Sequence, residues 1–262
     1  MTSTIKPISQ GVTRFTVNTP LIKTCVTLCL AVAFVFGMGF ILEHVPEPIG
    51  SNATQIAQAA LVTIQLTLVA GIIGVVFGTL TALGKASAFL PFKWLCSLYI
   101  WVARGTPLLL QILFTFFALP VLLPSLEFSD FTSATIALAF NVGAYNAEAI
   151  RSGLLSVPKG QIEAAEALGL SKFTIFFSVI LPQALRISLP PLVNNGVSLL
   201  KDSSLAYAIG VVELSNAASR IQSATFEPVP VLLTSAAIYL VLTTSMTQIT
   251  NALEQHLSYE RK

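Results

Sequence analysis

Pro158-Lys159-Gly160-Gln161-Ile162-Glu163-Ala164-Ala165-Glu166-Ala167-Leu168-Gly169-Leu170-Ser171 is a polar island in an apolar chain. Pro158 suits the first turn of a helix, where a missing N–H removes no bond. Glu163 to Leu168 are strong helix formers. Gly169 accepts the left-handed conformation that ends a helix, and Ser171 carries a hydroxyl able to cap the next one. About ten helical residues reach roughly 15 Å, half the thickness of a hydrocarbon core. The stretch therefore predicts a short helix outside the membrane, with the mixed charged and small-residue surface of a docking element.

The surroundings of this helix are membrane. Of 262 residues, 54% are hydrophobic and only 10% charged, against roughly 25% charged in soluble domains. Several apolar runs reach the length of about 18 residues that crosses a bilayer. A soluble fold would need far more charge to cover its surface. The fold class is an all-α polytopic membrane protein. A net charge of +2 gives no reason to expect nucleic acid. Cys25, Cys29 and Cys96 lie in apolar segments, where they pack rather than bridge or bind metal.

Residues 1–20 read as a polar tail, and 21–54 as one membrane helix with an outer loop. The run Leu21–Leu42 is too long for a signal core, and Phe36-Gly37-Met38-Gly39-Phe40 offers no small-x-small exit, so the helix is expected to stay. Ile56–Leu83 is the next span, with Gly74-x-x-x-Gly78 permitting close helix approach. Arg104-Gly105-Thr106-Pro107 divides the run Trp94–Leu123. Trp94 to Ala103 is expected at the interface and Thr106 to about Leu123 across the membrane. Phe131–Ile150 spans next, and the opening helix lies in the loop after it. Pro182, Pro190 and Pro191 punctuate the following run, predicting a span from Leu181 to about Leu200 with an interruption at Pro190-Pro191. Residues 201–228 read either as a short helix pair dipping into the outer leaflet or as a connector on the outer surface. Pro230–Ile249 is the last span, before a polar tail at 256–262.

Basic residues set the orientation. The segments 1–23, 84–104 and 151–186 and the C-terminus hold twelve of the fourteen Lys and Arg residues, whereas 43–55 and 121–130 hold none. Six spans with both termini in the cytoplasm satisfy the positive-inside rule. The docking helix is then cytoplasmic.

Nothing in the sequence reads as enzymatic. The histidines are His44 and His256, with no nucleophile–base pair, metal-ligand spacing or phosphate loop. Polar groups within spans carry the interest. Thr106, Gln111, Asn141, Tyr145, Asn194, Asn195 and Ser198 are candidates for a central path, and each also suits a helix–helix hydrogen bond. Asn194 and Asn195 follow Pro190-Pro191, where freed backbone groups would face a cavity, and are the leading substrate contacts. Glu148 and Arg151, three apart, share a helix face and read as a structural pair or a transport group. Lys201 and Asp202 read as an ion pair at the outer gate or as the helix boundary. The docking contacts are Gln161, Glu163, Ala164, Ala165 and Gly169. A secondary transporter driven by an ion gradient is the alternative class; it calls for coupling-ion groups near the midplane and often an inverted repeat, but no repeat is visible and such carboxylates are few.

Glu163-Ala164-Ala165, Gly169, Val179, Leu181 and Pro182 resemble the EAA motif of ABC-importer permease subunits. Several ordered stretches resemble the polar amino acid (histidine/glutamine permease-like) branch. They are Arg104-Gly105-Thr106-Pro107-Leu108-Leu109, Gly143 to Arg151, Val157-Pro158-Lys159-Gly160-Gln161, Leu181 to Arg186, Leu189-Pro190-Pro191-Leu192 and Lys201-Asp202-Ser203-Ser204-Leu205. The resemblance covers about residues 55–255 and implies a type I ABC importer-like transmembrane domain of five core spans plus one added N-terminal span. It implies that the short helix at about 159–169 couples to an ATP-binding subunit, which would carry ATP and Mg; no cofactor is expected on this chain. It further implies a second permease subunit, an external solute-binding protein and an amino acid substrate, in a bacterial cytoplasmic membrane. Many relatives have Asn-Glu where this chain has Asn194-Asn195, which argues against a basic amino acid.

Overall fold

The structure, a computed structural model, describes residues 33, 34 and 37–259, with side chains through residue 248. Most of the added helix predicted at Leu21–Leu42 lies outside the described residues; 37–43 are helical. Met38, Leu42 and Ile49 are buried against Ile56, Ala60, Leu200, Leu214, Ile238 and Leu242, and so close one end of the core.

Helix α1 (Ala53–Ala86) has 34 residues, about 51 Å of helix and longer than a hydrocarbon core. One side is small and buried, including Ala59, Ala60, Thr63, Ala70, Gly74 and Gly78. The other side exposes Leu68, Ile72, Val76 and Leu80, as expected of a lipid-facing surface. The small side packs on α4 (Asp130–Leu155), with which it shares its most extensive contact. A Cβ added at Gly78 would lie 2.6 Å from Asn146 Cβ and 3.0 Å from Ala147 N. The Gly74/Gly78 seam is therefore a helix–helix contact that admits no side chain.

Helix α2 (Leu90–Gly105) opens on Pro91 and exposes Trp94 and Trp101. It meets α3 (Leu108–Leu122) at a bend of 110°. Thr106 and Pro107 are both extended there, because a residue before proline avoids the helical region. At about 22 Å, α3 is shorter than a hydrocarbon core, and by length and composition it meets the measure of a crossing only together with α2, as a broken span or a re-entrant loop. Helix α4 has 26 residues and is capped by Ser129, whose hydroxyl accepts from Thr132 N–H. It packs against α1, α2, α3 and the long helix α6 (Lys172–Ile209). Its neighbours shield it from lipid, so it carries Asn141, Asn146, Glu148 and Arg151 where a lipid-facing helix would not.

The predicted interruption at Pro190-Pro191 is absent. Leu181–Asp202 is continuous helix with both prolines inside it, followed by a tighter 3₁₀ stretch at Ser203–Ile209. Prolines persist in membrane helices where neighbouring helices and local adjustments re-satisfy the freed backbone. One such adjustment recurs. Five-residue π-helical turns at Phe114–Ala118 and Phe176–Ile180 each run directly into a Leu-Pro pair, Leu119-Pro120 and Leu181-Pro182. In each, the leucine N–H donates five residues back, to Phe114 O and Phe176 O. Proline cannot donate to the carbonyl four residues behind it and its ring crowds that carbonyl; the wider turn relieves both effects.

Helix α5 (Lys159–Ala167) is the short polar helix. Helix α7 (Leu214–Thr225) and helix α8 (Pro228–Tyr259) complete the chain. Leu214 N–H donates to Thr63 Oγ1 at 3.1 Å, and both residues are fully buried. Thr63 lies ten residues into α1, about 15 Å from its start, so the 203–214 connector dips into the bundle rather than resting on it. Gly50–Ala86, Lys172–Ile209 and Pro228–Gln248 are individually long and apolar enough to cross a membrane, and the bent α2–α3 pair passes the same test as one unit.

Candidate functional site

A polar cavity of about 510 Å³ lies between the α2–α3 elbow, α4 and α6. Thr106 and Pro107 line it from the elbow, Asn141 and Tyr145 from α4, and Asn195, Ser198, Lys201 and Asp202 from α6. The elbow exists because of Pro107. Ala103 O would ordinarily accept from the N–H four residues on, which is proline, so it needs another donor. Gln111 Nε2 supplies one at 2.8 Å and Asn141 Nδ2 another at 3.1 Å, while Asn141 also donates to Gln111 Oε1 at 3.1 Å. Gln111 bonds Thr106 Oγ1 at 2.8 Å as well. Gln111, predicted as a path residue, thus braces the elbow from outside the cavity lining.

Asn194 also departs from expectation. With the helix unbroken, consecutive residues point about 100° apart; Asn195 faces the cavity and Asn194 is exposed elsewhere. Asn195 Nδ2 donates to Asn146 Oδ1 at 2.9 Å, tying α6 to α4. Arg104 lies over the Tyr145 ring, 5.0 Å from its centroid, within range of a cation–π contact. Lys201 and Asp202 both border the cavity, but they do not form the expected ion pair. The ion pairs among the described residues centre on Glu148. Neighbours in a helix diverge, so their side chains cannot meet.

Glu148 holds two cations. Lys85 Nζ from the end of α1 approaches Oε1 at 2.6 Å, and Arg151 Nη2 approaches Oε2 at 2.7 Å. Arg151 was readable from its spacing to Glu148. Lys85 was not, because it is 63 residues away and meets Glu148 only through the Gly74/Gly78 seam.

At the same end of the bundle, α5 is bounded by Pro158, extended at ψ 130°, and by Gly169, left-handed at φ 74°. The Ser171 hydroxyl then accepts from Thr174 N–H and restarts helix. Gln161, Glu163, Ala164 and Glu166 are exposed, and Leu168 is 80% exposed. Ala165, predicted on the docking surface, instead faces its own chain at 5% exposure. Its alternation with Ala164 follows from the helical turn, which puts adjacent residues on different faces.

Glu213 is a further residue that sequence reading passed over. Fully buried at the head of α7, its Oε1 accepts from Asn216 N–H at 2.8 Å, and its Oε2 from Ser215 N–H and Tyr239 O–H, each at 2.9 Å. The available signal was an acidic residue directly before a helix, the position of an N-cap.

Apolar helices enclosing a polar cavity, with a short exposed polar helix at one end, fit a membrane-embedded transport component. The particular family follows from residues 74–259, which match the binding-protein-dependent transport system inner membrane component; the chain belongs to that family. The L-cystine transport system permease protein TcyB of Bacillus subtilis (strain 168) is 41% identical over 196 residues, 74% of this chain and 83% of the relative. The arginine transport system permease protein ArtQ of the same organism is 36% identical over 202 residues, 77% of this chain and 92% of the relative. A crystal structure of an amino acid ABC transporter with histidines matches with a TM-score of 0.74 and 36% identity, over 79% of this chain and 95% of that one.

Proposed function

We propose that this chain is the permease subunit of an ATP-driven importer of polar amino acids, translocating them across the cytoplasmic membrane. The observation that carries the reading is the polar cavity among apolar helices, joined through α6 to the exposed docking helix. Lys201 and Asp202 offer opposite charges for a zwitterion, while Asn195, Ser198 and Asn141 offer neutral hydrogen-bonding groups. Asn195 presents a neutral amide to the cavity, suited to an uncharged polar side chain. The relatives named for cystine and arginine transport support an amino acid cargo.

Two permease subunits pair around the pathway, and each docks an ATP-binding subunit through α5. ATP and Mg belong to that subunit. An external solute-binding protein delivers the cargo, and both termini of this chain lie in the cytoplasm. ATP-driven closure of the ATPases displaces the docking helices, and the spans exchange inward for outward access.

The test is uptake of radiolabelled L-amino acids into liposomes holding this chain with its ATP-binding subunit, with the solute-binding protein added on the outer side. Uptake is expected only with ATP on the side of the ATPase. Uptake that ignores ATP and follows an imposed ion gradient would overturn the proposal.

A further inference from the structure

The docking helix is mechanically isolated within its own chain. Pro158 breaks it from α4 and left-handed Gly169 breaks it from α6. An extended residue and a left-handed one both end the run of backbone hydrogen bonds, so neither junction carries axial force as a continuous helix would. The packing of α5 is mainly on the first turns of α6, around Lys172–Ile180. That stretch contains the π-helical turn, the part of α6 whose bonding is least regular.

One side-chain bond bypasses this region. Gln183 Nε2 donates to Gln161 Oε1 at 2.6 Å, across 22 residues. The same Nε2 donates to Val179 O at 2.8 Å, one turn back on α6. Both amide hydrogens of Gln183 are therefore engaged, which fixes the side chain in the orientation that meets Gln161. Gln183 lies beyond the π-helical turn, in the regular segment Leu181–Asp202 that also carries Asn195, Ser198, Lys201 and Asp202. Beside it, Ala184 and Ser188 press on Gly153 of α4 so closely that an added Cβ there would lie 2.5 Å from Ala184 O. A displacement entering α6 at Gln183 is thus led along the helix by its contact with α4.

We infer that the Gln161–Gln183 hydrogen bond is the tie through which movement of the docking helix reaches the cavity-lining segment of α6. Gln161 and Gln183 are positioning residues: neither lines the cavity. The inference rests on the importer reading above and adds to it the route of the force within this chain.

The test measures uptake and ATP hydrolysis together in the liposomes described above, for the wild type, Gln161→Ser, Gln183→Leu and the exchange Gln161→Glu with Gln183→Lys. Co-purification of the ATP-binding subunit is measured for each. Gln161 is exposed, so Gln161→Ser leaves folding intact even if Gln183→Leu does not. Both single variants are expected to lower the ratio of uptake to hydrolysis about fivefold, the scale of one neutral hydrogen bond, and Gln183→Leu, outside the docking contacts, is expected to keep the ATPase bound and hydrolysing. The exchange rebuilds the link as an ion pair and is expected to restore the ratio. A wild-type ratio in Gln161→Ser overturns the tie while leaving the importer reading in place. Absence of ATP-dependent uptake by the wild type overturns both.

Discussion

Glu148 shows how much a single residue does at the end of the bundle that carries the short polar helix. Its carboxylate separates Lys85 from Arg151, at side-chain exposures of 20% for Glu148, 25% for Lys85 and 35% for Arg151. Removing the anion leaves two cations facing each other in a partly desolvated site. Glu148→Gln is expected to destabilise the protein by about 1–3 kcal/mol, below the cost of breaking a fully buried pair because water still reaches all three groups. Lys85→Met should cost less, since Arg151 retains its partner. Thermal unfolding in detergent checks the order; equal losses in both variants would contradict it. The Glu148–Arg151 contact was legible from a spacing of three, whereas Lys85 became a partner only through folding.

Elements are set by size as much as by polarity. Gly78 meets Asn146 and Ala147 at distances that exclude a side chain, but a Cβ at Gly71 would lie 3.5 Å from Leu199 Cδ2, an ordinary contact. Gly78→Leu is expected to push α1 from α4 and destabilise by about 1–3 kcal/mol, the usual range for overpacking. Gly71→Ala should change stability by less than about 0.5 kcal/mol. Unfolding midpoints for the two variants decide this. The glycine spacing in α1 marked a close contact without naming its partner, because α4 reads as polar and small for reasons that only its central position explains. Proline acts differently at different points of the chain for a related reason. Pro107 ends a helix because Thr106 is extended and the elbow is braced by Gln111 and Asn141. Pro182, Pro190 and Pro191 do not end α6, because surrounding helices and a π-helical turn accommodate them.

At the scale of the whole molecule, the placement of basic residues makes a topological prediction. In a variant whose Cys25, Cys29 and Cys96 are replaced by serine, single cysteines at Ser3, Glu163 and Ser125 report three loops. A membrane-impermeant maleimide added to intact spheroplasts is expected to label Ser125→Cys only, with the other two reacting after lysis. Labelling of Ser3→Cys in intact cells would place the N-terminus outside and remove the added helix from the count of spans.

The sequence by itself determined the membrane class, the existence and approximate bounds of the short polar helix, and the break at Pro107. These depend on local quantities: run length, helix propensity, and the backbone limits of proline and glycine. Tertiary structure decided which polar residues share a cavity, since that depends on the rotation of each helix about its axis. Asn195 and Asn194 are indistinguishable by composition, and one turn angle places only Asn195 on the cavity. The same holds for the short polar helix: its outline was local, but its bond to α6 through Gln161 and Gln183 required the fold to bring them together.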